Sequence, residues 1–322
     1  MTMIKPIVFL AAGCGLLSAH LRPAELPRAR GPYLGQKPPG VTAELFAPGV
    51  VSTGQFEHSS PVFTPDLKEI YWSAIIEENG TTTARPIFFM RMVEGAWSKP
   101  EVPSFARAFA CSESPFISPD GTKLYFHASP TIRPETAAIY CVERAGDGWG
   151  EPVELGEPVN LPGLNGEPTV SRTGTIYFAG GHRGRIVLYF SRLVDGRYRE
   201  RVLMEEKFNN SPADWTPYIA PDESYLIFCS FREGGFGSGD LYISFRRKDG
   251  AWGRVINMGE KINTAANERF PNVTPDGKYL FFNSTRKIAG AGADAPGNGQ
   301  GDVYWIDAKV IEELKRTATE AR

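Results

Sequence analysis

The sequence predicts an all-β fold: a five-bladed β-propeller of four-stranded blades, closed by an N-terminal strand and followed by a short C-terminal helix. Three observations carry that expectation. A hairpin motif, Ser118-Pro-Asp-Gly-Thr-Lys-Leu-Tyr-Phe126, recurs with variations from Thr64, Ser171, Ala220 and Thr274. At the proline station the copies stand at Pro65, Pro119, Arg172, Pro221 and Pro275, spaced by 54, 53, 49 and 54 residues. A period of that size marks stacked supersecondary units. Each full copy holds four strand-like runs, and the fifth copy is one run short.

The fourth copy shows the pattern. Trp215 to Ile219 reads as strand a, Tyr225 to Cys229 as b, Asp240 to Phe245 as c and Ala251 to Met258 as d. Between a and b, proline presets φ for the first turn position, aspartate suits the second, and glycine takes the left-handed site that follows. Copies one and four carry Leu67 and Glu223 where that glycine stands, so their turns are expected to be adjusted. Strand c repeats as Ile87-Phe-Phe, Ile139-Tyr-Cys, Leu188-Tyr-Phe, Leu241-Tyr-Ile and Val303-Tyr-Trp. Trp97, Trp149, Tyr198 and Trp252 mark the way into strand d. Burying one such aromatic contributes about 1.5–3 kcal/mol, and the stripe reads as core.

After Val303 to Ile306 the chain turns helical, from Ala308 to Lys315, and the fourth strand of the last blade is missing. Phe46 to Thr53 matches Asn257 to Thr264, which elsewhere leads from strand d into the next strand a. Residues 41–48 are therefore expected to complete the last blade and remove the open sheet edges.

The boundaries expected are 1–20 for an export signal, 21–40 for a Pro-rich tether, 41–307 for the propeller and 308–322 for the helix and tail. Lys5 followed by Ile7 to Ala12 has the order of an export signal, and Leu10-Ala-Ala-Gly-Cys14 resembles a lipobox, with Ala11 where leucine is usual. Lipidation at Cys14 is the only membrane attachment expected. Cys111, Cys141 and Cys229 fit no metal spacing and read as small buried hydrophobes. With 35 basic and 37 acidic residues the chain lacks the basic footprint of a nucleic-acid binder.

The repeat, Ser-Pro-Asp-Gly-x-x-Leu-Tyr-Phe followed by Asp-Leu-Tyr, resembles the TolB-like, WD40-like propeller repeat of bacterial envelope proteins over residues 41–307. The resemblance implies a propeller in an exported protein, in the periplasm or on a lipid anchor. Such repeats occur in translocation-associated proteins, in peptidase propeller domains and in an oligogalacturonide lyase family. The Ser-x-Asp-x-Gly-x-x-Trp box of sialidase propellers is absent.

Strands a and b form a hairpin, so the start of a and the end of b share one rim with the b–c loops. His58, Glu113, Glu167, Asp214 and Glu268 stand before strand a, and His127, His182, Arg183, Arg232 and Arg286 stand after strand b. This rim is the expected ligand site, where polar groups converge on a concave mouth. Acid–Arg pairs between neighbouring blades would equally well fasten the ring. His58, His127 and His182 with Glu113 raise the question of a metal, but no close spacing fixes a geometry, so the metal is left unknown. Gly235-Phe-Gly-Ser-Gly239 is not a nucleophile elbow and lacks the lysine of a phosphate loop. Asp240 and Asp302 are expected to anchor b–c loops, and no catalytic residue or cofactor is expected. The leading expectation is an exported propeller that binds a polar ligand, an envelope glycan or a partner protein, without chemistry. The rival is a carbohydrate-active lyase or hydrolase on acidic sugars that uses the same rim.

Overall fold

The computed structural model describes residues 29–133 and 136–320; the expected export signal and Cys14 lie outside them. Five antiparallel blade sheets follow one another along the chain, with a small two-stranded ribbon, Leu193–Val194 with Arg197–Tyr198, beside the third. Blade one is built from Phe56–Glu57 with Val62–Phe63 (a), Glu69–Glu78 (b), Ile87–Val93 (c) and Ala96–Trp97 (d). Blade two runs Cys111–Ile117, Lys123–Ser129 and Ala138–Ala145, with Gly148–Trp149 and Val153–Glu154 as its outer edge. Blade three runs Asn165–Val170, Ile176–His182, Arg185–Ser191 and Val202–Leu203; blade four runs Asp214–Ile219, Tyr225–Ser230, Asp240–Arg246 and Trp252–Asn257. Blade five runs Glu268–Val273, Tyr279–Ser284 and Asp302–Asp307, and its outer strand is Glu44–Leu45 from the N-terminal side. Glu44 pairs Trp305 and Leu45 pairs Tyr304, so the ring closes as the repeat predicts.

The closing seam is packed as a core. Phe46, fully buried, meets Phe281 edge-on with ring centroids 4.9 Å apart and Trp305 at 5.1 Å. Residues from Ala29 to Gly40 belong to this seam and are no tether. Tyr33 and Leu34 are buried in its cluster, the Tyr33 hydroxyl donates to Asp276 at 2.8 Å, and Trp97 Nε1 donates to the Gly31 carbonyl at 2.8 Å. Two large apolar side chains in a Pro/Gly-rich stretch, together with these two hydrogen bonds, dock it.

The a–b turns explain their aspartates. Asp120 Oδ1 accepts from the Ser118 hydroxyl at 2.6 Å and the Thr122 amide at 3.1 Å, and Asp66 and Asp276 repeat that pattern. Leu67 and Glu223 adopt the left-handed conformation of their glycine counterparts, with φ of 58° and 57° beside 74° at Gly121. The turn is thus kept, not adjusted. In blade four the Glu223 carboxylate accepts from the Tyr177 hydroxyl and Arg246, contacts that offset the strain of the position.

Two further stations repeat. Asn160, Asn209 and Asn263 each bond both the amide and the carbonyl of one strand-c residue, Ile139, Leu188 and Leu241, while Ser52 serves Val303 at the seam. In strand a the pairing slips at a bulge just before Pro115, Pro168, Pro217 and Pro271. The preceding residues, Ser114, Glu167, Thr216 and Phe270, have φ of 51°, 56°, 47° and 52°. A bulge leaves a residue unpaired and bends the strand, so proline's missing amide hydrogen costs nothing there. Pro61 holds the same place in blade one, between the two halves of its strand a.

Helix α1, Lys309–Glu320, ends the described chain and buries Val310 and Ile311 in the core shared by blades two to five. Cys111, Cys141 and Cys229 are all buried and none is in a disulfide. No helix among the described residues is long and apolar enough to cross a membrane.

Candidate functional site at the channel mouth

The five strands a converge on the axis, and the bulge prolines line its narrow waist. There Ser60, Ser114, Glu167, Thr216 and Phe270 surround a cavity of about 40 Å³, room for only a few waters. Directly beside it, blades one, two, three and five bring their charged side chains together.

Glu113 is the centre of this cluster and is fully buried. Arg85 Nη1 donates to both of its oxygens, at 3.0 and 3.3 Å. His58 Nδ1 lies 2.7 Å from Oε1 but off the line of a well-formed hydrogen bond. His127 Nε2 lies 3.4 Å from Oε2, and the Cys111 thiol reaches the same oxygen at 3.5 Å. The backbone delivers Arg85 to this place: it bridges Cys111 of the next blade, with the Ser112 amide donating to the Arg85 carbonyl. The Glu167 amide donates to His127 Nδ1 at 3.3 Å, which leaves the His127 proton on Nε2, pointing at Glu113.

Arg269 completes the cluster from blade five. Only 7% of it is exposed, yet its guanidinium has no hydrogen-bond or ion-pair partner among the described residues, and Nε is buried without one. It lies over the rings of Phe56 and Phe270, 4.9 and 5.5 Å from their centroids, in the field of Glu167, Glu113 and Arg85. Guanidinium stacking on rings is favourable, but a buried cation lacking its hydrogen bonds is costly.

Environment sets the charge of each group. Burial alone would raise Glu113, but the adjoining His58 and His127 hold it well below the usual carboxylate range. Glu167, half-buried by its surface, is raised instead by desolvation, which the nearby His127 and one amide bond from Thr216 at 2.8 Å do not offset. For His58, burial outweighs the Glu113 carboxylate and lowers its pKa.

The remaining rim residues lie elsewhere. The Asp214 carboxylate accepts from the Ser230 hydroxyl and from Arg232 at 3.3 Å, and Arg232 Nε also donates to Ser230 at 2.8 Å. Glu268 repeats this with Ser284 at 2.6 Å and Arg286 at 3.3 Å, and adds the Thr264 hydroxyl at 2.7 Å. Arg232 and Arg286 stack on Tyr242 and Tyr304 of their own blades. These pairs therefore act inside one blade, not between neighbours. His182 bonds the Tyr189 hydroxyl at 3.0 Å, and Arg183 is an exposed hairpin residue with φ of 48°. Asp240 accepts from the Phe236 and Gly237 amides, the expected loop anchor.

The five positions before strand a are not equivalent. Strand register places Glu57, Ser112, Asn165, Asp214 and Glu268 at one station. Glu113 follows that station by one residue and Glu167 by two, which turns them toward the axis. The missed residues are Arg85, Cys111 and Arg269. A second proline series, Pro61, Pro115, Pro168, Pro217 and Pro271, has the same spacings as the first and would have located the bulges.

As a metal centre, the Cys111, Glu113 and His127 ligand atoms lie within 4.8 Å of one another. The His127 tautomer leaves Nε2 no lone pair for an ion, and Arg85 already holds the carboxylate. The donors suit an organic anion better.

Comparison with protein-family models and with curated proteins finds no match. Among solved structures the chain is similar to TolB from Acinetobacter baumannii, at 14% identity and a TM-score of 0.47, over 79% of this chain and 57% of that one. It is similar to an α-L-arabinofuranosidase from Lactobacillus brevis, at 14% identity and a TM-score of 0.49, over 79% and 90%. A periplasmic gluconolactonase from Pseudomonas aeruginosa follows at 12% identity and a TM-score of 0.42, over 69% and 63%. This chain thus spans little more than half the length of TolB. Identities this low speak to fold alone, and the class defined is a five-bladed β-propeller with a charged channel mouth.

Proposed function

We propose that the chain is an exported, non-catalytic binding propeller that receives a polar, carboxylate-bearing ligand of the cell envelope at its channel mouth. Arg269 carries the reading: it is a guanidinium buried against two aromatic rings, with no carboxylate within hydrogen-bond or ion-pair reach among the described residues. An incoming carboxylate accepts a bidentate pair from such a fork, with Arg85 and His58 at its flank. Glu113 keeps the pocket from being purely cationic, which selects for ligands that also offer hydroxyl or amide donors.

The test is a thermal-shift and calorimetric screen of uronates, peptidoglycan fragments and short peptides with free carboxyl termini. One class is expected to bind the wild type and to lose that binding in Arg269→Met. Equal binding by Arg269→Met would refute the site.

A second reading, action on acidic sugars, draws on one observation, His58 held 2.7 Å from Glu113 beside Arg85. In that reading Arg85 or Arg269 neutralises the uronate and His58 takes the proton. Unsaturated product from a uronate panel would favour it, and none would return the chain to the binding reading.

A further inference from the structure

Two joins between neighbouring blades are closed on their outer side by the same device. Near the end of strand c, blade two carries Arg144 in register with Trp149, and blade four carries Arg246 in register with Trp252. Each guanidinium lies over its tryptophan, 4.0 and 4.3 Å from the ring centroid. Each also meets a carboxylate, Arg144 with Glu69 of blade one at 2.5 Å and Arg246 with Glu223 at 2.9 Å. The device covers a tyrosine of the preceding blade: the Tyr71 hydroxyl accepts from Trp149 Nε1 at 2.8 Å, and that of Tyr177 from Arg246 Nη2 at 3.3 Å. Blade one has Met92 and Trp97 at this station, and there the docked segment around Gly31 lies against the indole.

Blade three breaks the pattern. Its station holds Leu193 in register with Tyr198, a shorter uncharged side chain and a smaller ring. Tyr198 reaches Tyr125 of blade two, with their hydroxyl oxygens 3.4 Å apart. Where blade one offers Glu69 before Tyr71, blade two has Lys123 before Tyr125, already held by Glu143 at 2.8 Å. The join between blades two and three is left with an open groove of about 820 Å³. Tyr125, Cys141 and Leu155 line it from the side of blade two, and Leu193 and Tyr198 from blade three, with Val153, 65% exposed, at its edge. Cys141 serves as wall and not as nucleophile, since burial pushes its thiol up to about 11. The lip is acidic. Glu151, Glu154 and Glu157 are exposed there without an ion pair among the described residues, against one unpaired guanidinium, that of Arg197.

We propose that this groove binds a small amphipathic amine. Its apolar body takes the place that arginine stem and indole fill in the other two joins, and its cationic head stays at the lip among Glu151, Glu154 and Glu157. The chain's own filler defines the class: in two joins it is an alkyl cation lying on an aromatic ring with a carboxylate at its head. The vacated place keeps the aromatic surface, in Tyr125 and Tyr198, and the negative charge, and lacks the alkyl cation. A volume of this order is that of a small-molecule site, apolar within and polar at a few points of its edge. An anionic ligand would meet three carboxylates there, and a sugar would find few hydrogen-bonding groups on the walls. The groove shares no lining residue with the cavity at the waist of the channel, so it is a separate site.

The experiment titrates the full chain calorimetrically with phenylbutylamine, phenylbutanol and phenylbutanoate, one apolar body with three head groups. The amine is expected to bind at one site per chain, the alcohol roughly fivefold more weakly and the acid not at all. Leu193→Arg returns to blade three the residue that closes the other two joins, and should abolish amine binding while the Tm holds or rises. Glu151→Gln combined with Glu157→Gln changes only exposed, unpaired groups; it should keep the Tm and erase the preference for amine over alcohol, whether or not the arginine packs. Arg269→Met should bind the amine as the wild type does. Silence from all three probes would overturn the proposal, as would equal affinity for them. So would undiminished amine binding in a folded Leu193→Arg, an unchanged preference in the double glutamine variant, or loss of binding in Arg269→Met, which would place the amine at the channel mouth.

Discussion

At the base of blade five the Glu268 carboxylate receives its hydrogen bonds from Thr264, Ser284 and Arg286, an arrangement complete without any ligand. In blade two the Glu113 carboxylate is shared among Arg85 and His58 of blade one and its own His127, while Arg269 across the axis has no partner. Both regions are buried, charged and built at the same rim. The difference teaches that charge at a propeller mouth does not mark a site; unmet hydrogen-bonding capacity does.

The largest effect should come from breaking the satisfied region. Glu268→Ala leaves the Arg286 guanidinium and two hydroxyls without their acceptor, and a broken buried pair costs about 3–5 kcal/mol. Chemical denaturation is expected to show that loss, with ligand affinity per folded molecule unchanged. A change in affinity at constant stability would mean that blade five's pair belongs to the site after all.

The unsatisfied region should respond in the opposite sense. Arg269→Met removes a buried cation that nothing in the free protein pairs, so the Tm should hold or rise. Losing a buried charge partner for the ligand should weaken binding by about 2 kcal/mol or more, some 30-fold. Stability and binding then move in different directions, as expected where a site is held at a stability cost. A Tm fall as large as that of Glu268→Ala would place Arg269 among the fasteners.

How far the sequence reveals these regions depends on periodicity. The hairpin motif and the short fifth copy disclose the blades and their closure, because turn chemistry is local and repeats with the fold. Docking of Tyr33 and Leu34 is not disclosed, since it depends on a surface made by Trp97, Asp276 and Trp305 from distant parts of the chain. His58, Glu113, His127 and Glu167 stand out as rim residues. Arg269 does not, because it sits inside strand a, and only the bulge at Phe270 and Pro271 gives it a way to the axis. Asp214 and Glu268 look like site acids in sequence because position is visible there while the hydroxyls that satisfy them are not.

The smallest effect tests whether the mouth is as desolvated as its geometry implies. Folded His58 has its pKa lowered by burial from 6.5, so as pH falls below about 6.5 the unfolded chain takes up a proton that the folded one refuses. His58 therefore makes stability fall as pH drops through that window, down to its folded pKa. Glu167 has the opposite sign: raised by burial from 4.5, it keeps its proton in the folded state while the unfolded state gives it up. Its contribution falls as pH rises above about 4.5 toward its folded value. Glu113, held low by His58 and His127, adds no slope above about 4.5; its contribution is lost as pH falls from there toward its folded value. Melting curves from pH 4.5 to 7 should thus show His58→Gln flattening the loss on the acid side and Glu167→Gln removing an acid-side gain. Two slopes of opposite sign require two desolvated groups in one pocket. If both variants follow the wild-type curve, water reaches these side chains, and Arg269 then has solvent for the partners it lacks and no need of a ligand.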